Sequence, residues 1–344
     1  MKGGKLVLKK WIKYLKINIF ISLLLIIISF FTLTGVYASE TKYVIPGGDA
    51  IGLKIDTGVY VIGKYNVLVG SAKLMPWKNS DIEEGDRIIS LNNKKIYSID
   101  EMLDEVKKAE EEFCNLTIKR GNENIETKID IVKTKNGEKT IGLYLKDKLL
   151  GIGTLTFIDP DTNKFASLGH GVYDKTLTYG DVSGCVVTSC IESIKKGVPG
   201  VSGEKRASLS SNKIGSISLN NNTGLYGNIS ENVRREKIAV GKQWDVHKGK
   251  AKMLTVINGD EIESFDIEIV GITLQDSTGT KGLKVKVIDE RLISEAGGIV
   301  QGMSGSPIIQ DNKLVGAISH VSVSEPTIGY AMHIGWMIEE LSKF

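Results

Sequence analysis

Cysteine, histidine, tryptophan and proline are all scarce in this chain of 344 residues, at three, four, four and six copies. The cysteines are Cys114, Cys185 and Cys190. So few, and an odd number, do not make a disulfide framework. Cys185 and Cys190 could pair, or each could be a small buried hydrophobe; spacing leaves this open. No CxxC or HExxH spacing occurs, so nothing supports a metal site, and no cofactor motif appears. Proline is low while glycine reaches 38 residues. That balance suits a β-rich chain with many tight turns, because glycine takes positive φ without steric cost. A basic excess is missing as well. The net charge is +3, from 44 basic and 41 acidic residues. Six of the lysines (Lys2, Lys5, Lys9, Lys10, Lys13 and Lys16) fall in the first sixteen positions, and setting them aside leaves 38 against 41, or −3. A nucleic-acid role therefore lacks electrostatic support.

A long hydrophobic run is present. Residues 17–39 carry no charge and centre on six consecutive Leu and Ile residues, 23–28. A run of this length can cross a bilayer as one helix. The lysines before it should stay cytoplasmic, which places the remainder outside. Val36-Tyr37-Ala38 before Ser39 also has the pattern of a signal-peptidase site. Anchor and cleaved signal both export the body of the protein.

Residues 1–40 are thus expected to be a signal or anchor segment, 41–130 a small α+β domain, and 131–344 a β-rich domain. In the first domain, residues 58–63 and 87–91 read as strands, and Asn92-Asn93 as a turn. Ser98-Ile99-Asp100-Glu101 is a capping box opening a helix with apolar positions Ile99, Leu103, Val106 and Phe113. Residues 116–121 form a further strand and turn. Beyond 131, short apolar segments (141–145, 153–158, 215–219, 267–271, 283–287, 313–318) alternate with Gly, Asn and Asp turns. Many short strands at such intervals suggest a barrel or sandwich. Residues 334–343 read as a closing helix.

The chemistry points to Ser304, in Gly302-Met303-Ser304-Gly305-Ser306-Pro307. A serine hydroxyl needs a base within hydrogen-bond reach and N–H groups aimed at the developing oxyanion. A glycine two positions earlier lets the chain turn so that the N–H groups of Gly302 and Ser304 point together. The bases on offer are His170, His247, His320 and His333. His170 is favoured because it stands in Leu168-Gly169-His170-Gly171, a glycine-flanked turn after an apolar strand. His320 follows the post-nucleophile strand and suits a groove position; His247 sits in a charged, solvated segment. The orienting acid is expected at Asp289, fifteen residues before the serine, with Asp174 or Asp181 as substitutes. Asp289 could equally be a strand-end turn acid beside Arg291.

Two resemblances follow from these residues. Gly85-Asp86 before the central strand, the Asn-Asn turn, the Ser98–Leu103 helix start and the Lys119-Arg120-Gly121 ending resemble a PDZ domain. That resemblance would make Ile51-Gly52-Leu53 its carboxylate-binding, peptide-binding loop. The membrane segment, the PDZ-like part, Leu168-Gly169-His170-Gly171 and residues 297–310 together resemble the stage IV sporulation protein B (SpoIVB) peptidases. The likeness extends through residues 196–200, 224–227 and 329–334. It implies a mostly β fold with some α, ending in a chymotrypsin-like double β-barrel, with catalytic His170, Asp289 and Ser304 and no metal. It further implies an exported sporulation protease, acting between forespore and mother-cell membranes. Its substrates would be itself and the extracytoplasmic part of a membrane-bound inhibitor, releasing an intramembrane protease that matures a late sigma factor. The competing expectations are a non-catalytic PDZ adaptor and a general envelope quality-control protease.

Overall fold

The computed structural model describes residues 11, 14–24, 41–174, 176, 179–230 and 233–344. The chain divides into two units, Met1–Thr41 and Lys42–Phe344. In the first, residues 14–24 are helical and exposed. Among the described residues no helix is long and apolar enough to cross a membrane. Most of the charge-free run 17–39, from residue 25 on, and the signal-peptidase pattern lie outside the described residues.

The second unit is built from β-strands. It opens with β1 (Tyr43–Pro46) and β2 (Ala50–Lys64). A small α+β section follows: β3 (Val67–Val69), β4 (Ala72–Leu74), β5 (Arg87–Leu91), β6 (Lys94–Lys95), α1 (Ile99–Lys108), β7 (Phe113–Arg120), β8 (Glu123–Asp130), β9 (Val132–Lys133) and β10 (Lys139–Thr140). Then come β11 (Leu143–Ile158), β12 (Lys164–Ser167), β13 (Gly180–Lys195), β14 (Glu204–Asn221) and β15 (Gly224–Ile229). The last part holds β16 (Ile238–Val240), β17 (Gly249–Thr255), β18 (Glu263–Ile272), β19 (Leu283–Val287), α2 (Glu290–Ala296), β20 (Pro307–Gln310), β21 (Lys313–Val321), β22 (Ile328–His333) and α3 (Ile334–Lys343).

Strand pairing closes two rings. In the first, β2, β11, β12, β15, β14 and β13 pair in that order, and β13 returns to β2, all antiparallel. In the second, β17, β18, β19, β22, β21 and β20 pair in order, and β20 returns to β17. Closure removes the free edges an open sheet would expose. Each ring encloses its own apolar core, one around Ile51, Leu53, Phe165 and Val186, the other around Met253, Phe265, Val285 and Ile308. A third cluster fills the seam between them, with Phe157, Tyr226, Ala317 and Met332. The helix α3 seals this seam with Ile334, Met337 and Leu341, spaced to share one face. Each large apolar side chain buried there contributes about 1.5–3 kcal/mol.

The strands are longer than the apolar segments suggested. At 16 residues each, β11 and β13 absorb turn-like residues through register shifts that bend them around the barrel. The expected boundary at 130/131 is also corrected. The strand β2 begins in the first barrel and ends in the core of the small domain, and β11 returns the same way. The small domain's core runs from Val59 to Leu143, so the domain is inserted into the first barrel, and residues 43–55 belong to the barrel.

Within the insertion, Asn92 and Asn93 take φ of 48° and 65° at the tight turn after β5. Ser98 caps α1, its hydroxyl accepting from the Glu101 N–H. The buried face of α1 is Met102 and Val106, while Leu103 is exposed. Phe113 lies on β7 rather than on the helix, which stops at Lys108 before the acidic run 110–112.

Candidate active site

Two turns, one from each barrel, meet at the seam. The first follows β12. Leu168 and Gly169 both take left-handed conformations, φ 75° and 65°. Such a conformation costs a non-glycine residue about 1 kcal/mol or more. Leu168 is held in it because its side chain is buried in the first barrel's core. A Cβ on Gly169 would lie 3.0 Å from the carbonyl oxygen of Ile318 in the second barrel, so glycine permits the close approach. The turn presents His170 at the seam.

The second turn precedes β20 and carries Ser304. Its carbonyls are fully engaged. Lys205 N–H donates to Gln301 O (2.9 Å), Thr154 N–H to Ser304 O (2.9 Å), and Ile318 N–H to Ser306 O (2.9 Å). Thr154 Oγ1 donates to Gly302 O and Thr156 Oγ1 to Gly305 O, both at 2.8 Å. The N–H groups of Gln301, Met303, Gly305 and Ser306 are satisfied by Gly203, Val300, Ile318 and Met303. Among the described residues, the N–H groups of Gly302 and Ser304 have no partner. Gly302 sits at φ 94° and Gly305 at 93°. A Cβ on Gly305 would fall 2.2 Å from Thr154 O, which no side chain tolerates.

His170 Nε2 stands 2.9 Å from Ser304 Oγ. Its Nδ1 stands 2.9 Å from the carbonyl oxygen of Gly171. A carbonyl only accepts, so Nδ1 carries the proton and Nε2 offers its lone pair to the serine hydroxyl. This is the tautomer a general base requires. The site therefore sets a serine hydroxyl beside an imidazole lone pair, with two nearby N–H groups that have no partner among the described residues.

The orienting acid is not where it was expected. Asp289 caps α2: its carboxylate accepts from Leu292 N–H (3.0 Å) and from Asp266 N–H (3.3 Å). It forms no hydrogen bond to His170, so its assignment to a triad is corrected. The physical reason is local, since β19 runs straight into α2 and an aspartate at that junction satisfies the helix's open N–H groups. Asp174 accepts from Thr176 and lies 3.9 Å from Lys146. The partner of His170 Nδ1 is a main-chain carbonyl, that of Gly171.

Of the remaining histidines, His247 and His333 have hydrogen-bond partners of their own, and His320 stands beside His170. The His320 ring centroid lies 5.6 Å from that of His170. Burial, with lesser contributions from His170 and Lys281, pushes its pKa down. His333 is buried with Nε2 against Thr273 O, and burial likewise lowers its pKa. Exposed His247 pairs with Asp311.

Ile51, Gly52 and Leu53 are not a peptide-binding loop. They lie inside β2, paired with β11 on one side and β13 on the other. Both backbone edges are taken, so no ligand carboxylate can claim those N–H groups. The three residues wall the first barrel instead, and Leu53 lines a cleft of about 440 Å³ beside Ser304 and His170. In the inserted domain a separate groove of about 890 Å³ runs between α1 and β3, lined by Val67, Leu68, Leu103 and Lys107. Among the described residues, β3 pairs only with β4.

Thr154, Thr156 and Lys205 were missed in the sequence. Their signal, buried hydroxyls on an apolar strand and a lysine five residues after Gly200, has no meaning until the barrels pack. Lys205 is almost fully buried; its stem lies against Gly302 and its Nζ donates to Thr255 Oγ1 at 2.8 Å. Burial lowers its pKa to about 7. All three cysteines are free thiols, Cys114 buried and Cys190 exposed. Among the described residues no three His, Cys, Asp or Glu side chains converge as a metal-ligand set.

Among solved structures, the PDZ domain of the SdrC-like protein from Listeria monocytogenes is 23% identical, covering 26% of this chain and 87% of that one, with a TM-score of 0.21. The Rv3671c protease from M. tuberculosis in its active form is 12% identical, covering 57% of this chain and 74% of that one, with a TM-score of 0.33. The curated proteins contain no match. Residues 137–338, which run from β10 into α3, take in the second barrel and all of the first except β2, and include His170 and Ser304, match the model of the SpoIVB peptidase S55 family, and the chain belongs to that family.

Proposed function

We propose that this protein is an exported serine endopeptidase with a chymotrypsin-like double β-barrel, in which Ser304 is the nucleophile and His170 the base. The observation that carries this reading is the 2.9 Å contact between His170 Nε2 and Ser304 Oγ beside two unpartnered N–H groups. Ser304 Oγ attacks the scissile carbonyl while its proton passes to Nε2. The new oxyanion faces the N–H groups of Gly302 and Ser304. As the tetrahedral intermediate collapses, the C–N bond breaks and Nε2 returns the proton to the leaving amine. Water then enters and loses a proton to the same nitrogen as it attacks the acyl carbon; the bond to Ser304 Oγ breaks, Nε2 returns the proton to that oxygen, and the acid product leaves. The Gly171 carbonyl holds the imidazole in its productive tautomer throughout. No step calls for a cofactor.

The S55 family supports a role in sporulation signalling. In that reading the protease cuts itself and the extracytoplasmic part of a membrane-bound inhibitor, which frees an intramembrane protease to mature a late mother-cell sigma factor. The amino-terminal lysines and the charge-free run 17–39 support action beyond the cytoplasmic membrane, between forespore and mother cell. The inserted domain then serves as a PDZ-like docking module. Its α1–β3 groove, with one strand edge unpaired, supports the addition of an extended segment of the substrate protein.

Comparing the full chain with its Ser304→Ala and His170→Ala forms tests the reading. Both variants should lose peptide cleavage and self-processing to a similar, near-complete degree, because the two groups act as a unit. Unchanged processing in Ser304→Ala would sink the enzyme in favour of an adaptor. Profiling the exported proteome separates signalling from quality control, since a signalling protease cuts few proteins.

A further inference from the structure

The cleft at the nucleophile lies on one side only. Its walls come from the first barrel: Leu53 and Ile55 on β2, Leu150 and Ile152 on β11, and Leu168 and Tyr173 around His170. Among the described residues, the second barrel contributes Gln301, Gly302 and Ser304 from the turn before β20. No lining side chain among the described residues carries a formal charge. Leu150 and Tyr173 stand at the rim, 60% and 84% exposed, while Leu53 and Ile55 form the buried floor.

The geometry of the dyad decides which half of a substrate this cleft serves. The acyl oxygen must face the N–H groups of Gly302 and Ser304. The leaving nitrogen must face His170 Nε2, which protonates it. His170 belongs to the first barrel, so the chain that follows the scissile bond runs along that barrel's walls. We propose that the cleft takes an aliphatic side chain from the first or second residue after the cut, and that Leu150 and Tyr173 gate its entry. The substrates are thus polypeptides with a bulky apolar residue on the leaving side. An apolar wall selects such a residue by removing it from water, and a charged one there would be left unpaired.

The inference rests on the endopeptidase reading, and its test separates the two. The full chain is incubated with internally quenched peptides randomised on both sides of the cut, and new termini are mapped by mass spectrometry. In parallel, a fluorophosphonate probe reports whether Ser304 is reactive, with Ser304→Ala as the blank. Leu, Ile, Val or Phe should be enriched after the cut. Leu150→Lys should lower kcat/KM about tenfold for a peptide with Leu at that position and improve cleavage of its Glu counterpart relative to it. Tyr173→Asp should disfavour Leu in the same way and favour Lys. Labelling and cleavage with no leaving-side preference, or with all peptides slowed equally by both variants, overturns the cleft assignment and leaves the peptidase reading standing. No labelling and no cleavage overturns both.

Discussion

At the scale of single residues, His170 and Ser304 meet through the residues that flank them as much as through their own chemistry. A left-handed pair precedes the histidine, and a positive-φ glycine flanks each side of the serine. Asp289 gives the sharpest test at this scale. As a helix cap it is interchangeable with asparagine, whereas alanine should cost about 1 kcal/mol of stability. Asp289→Asn should therefore keep near-normal turnover and melting temperature. An aspartate orienting the base would instead lose about 10⁴-fold on the same change. Steady-state kinetics beside thermal melting distinguishes the two. Asp289 could be read either way from the chain alone, since its spacing to Ser304 fits a triad and its place after a strand fits a turn acid. The flanking backbone, with Leu292 N–H and Asp266 N–H aimed at the carboxylate, decides it.

At the scale of elements, β11 ties together the turns that carry His170 and Ser304. Thr154 and Thr156 hold the Gly302 and Gly305 carbonyls, which pins the turn on both sides of Ser304, while the planes that carry the Gly302 and Ser304 N–H groups are held through Gln301 O by Lys205 N–H and through Met303 O by Ser306 N–H. Replacing Thr154 with valine keeps the volume and deletes one of these bonds. A net hydrogen bond is worth about 1 kcal/mol, so kcat should fall about fivefold to tenfold with KM little changed. A matching rise in KM would mean that the threonine shapes substrate binding instead. The same strand shows why the domain boundary was misplaced. Residues 141–145 and 153–158 stand out as separate apolar segments, but the polar stretch between them, Lys146 to Lys148, pairs with β2 as the strand leaves the insertion for the barrel. Local pattern has no access to a strand that serves two cores.

For the molecule as a whole, buried ionisable groups set how stability responds to pH. Lys205 has a folded pKa near 7 and an ordinary unfolded one near 10.5, in both cases as a base. Between those values the unfolded chain binds more protons at this site, so stability should rise as pH climbs from 7 toward 9, above which the buried Cys114 thiol, pushed up to about 11, acts the other way. Lys205→Met keeps the stem under Gly302 and removes the charge. It should flatten that alkaline rise and gain about 1–2 kcal/mol at pH 7, net of the bond to Thr255. His333 and His320, both held below their ordinary values, act in the same direction at lower pH. Stability should fall as pH drops below the unfolded histidine value, because the folded state resists their protonation. Denaturant melts across pH 5–10 read both limbs, and a flat wild-type profile above pH 7 would contradict the burial of a titrating lysine.

The chain by itself determined the glycine-flanked turns that carry Ser304 and His170, the helices starting at Ser98 and His333, and the mostly β character. These follow from short-range rules in which glycine permits positive φ, serine caps a helix, and apolar spacing repeats with the element's period. Tertiary structure decided what depends on residues far apart in sequence. It closed two six-stranded rings and put His170 against Ser304 across 134 positions. It left the Gly302 and Ser304 N–H groups unpartnered by satisfying their neighbours, and assigned Asp289 to a helix. It also moved Ile51-Gly52-Leu53 from a binding loop into a barrel wall. A hydrogen bond is worth what its burial and its alternatives make it, and both are set only when the two barrels pack against each other.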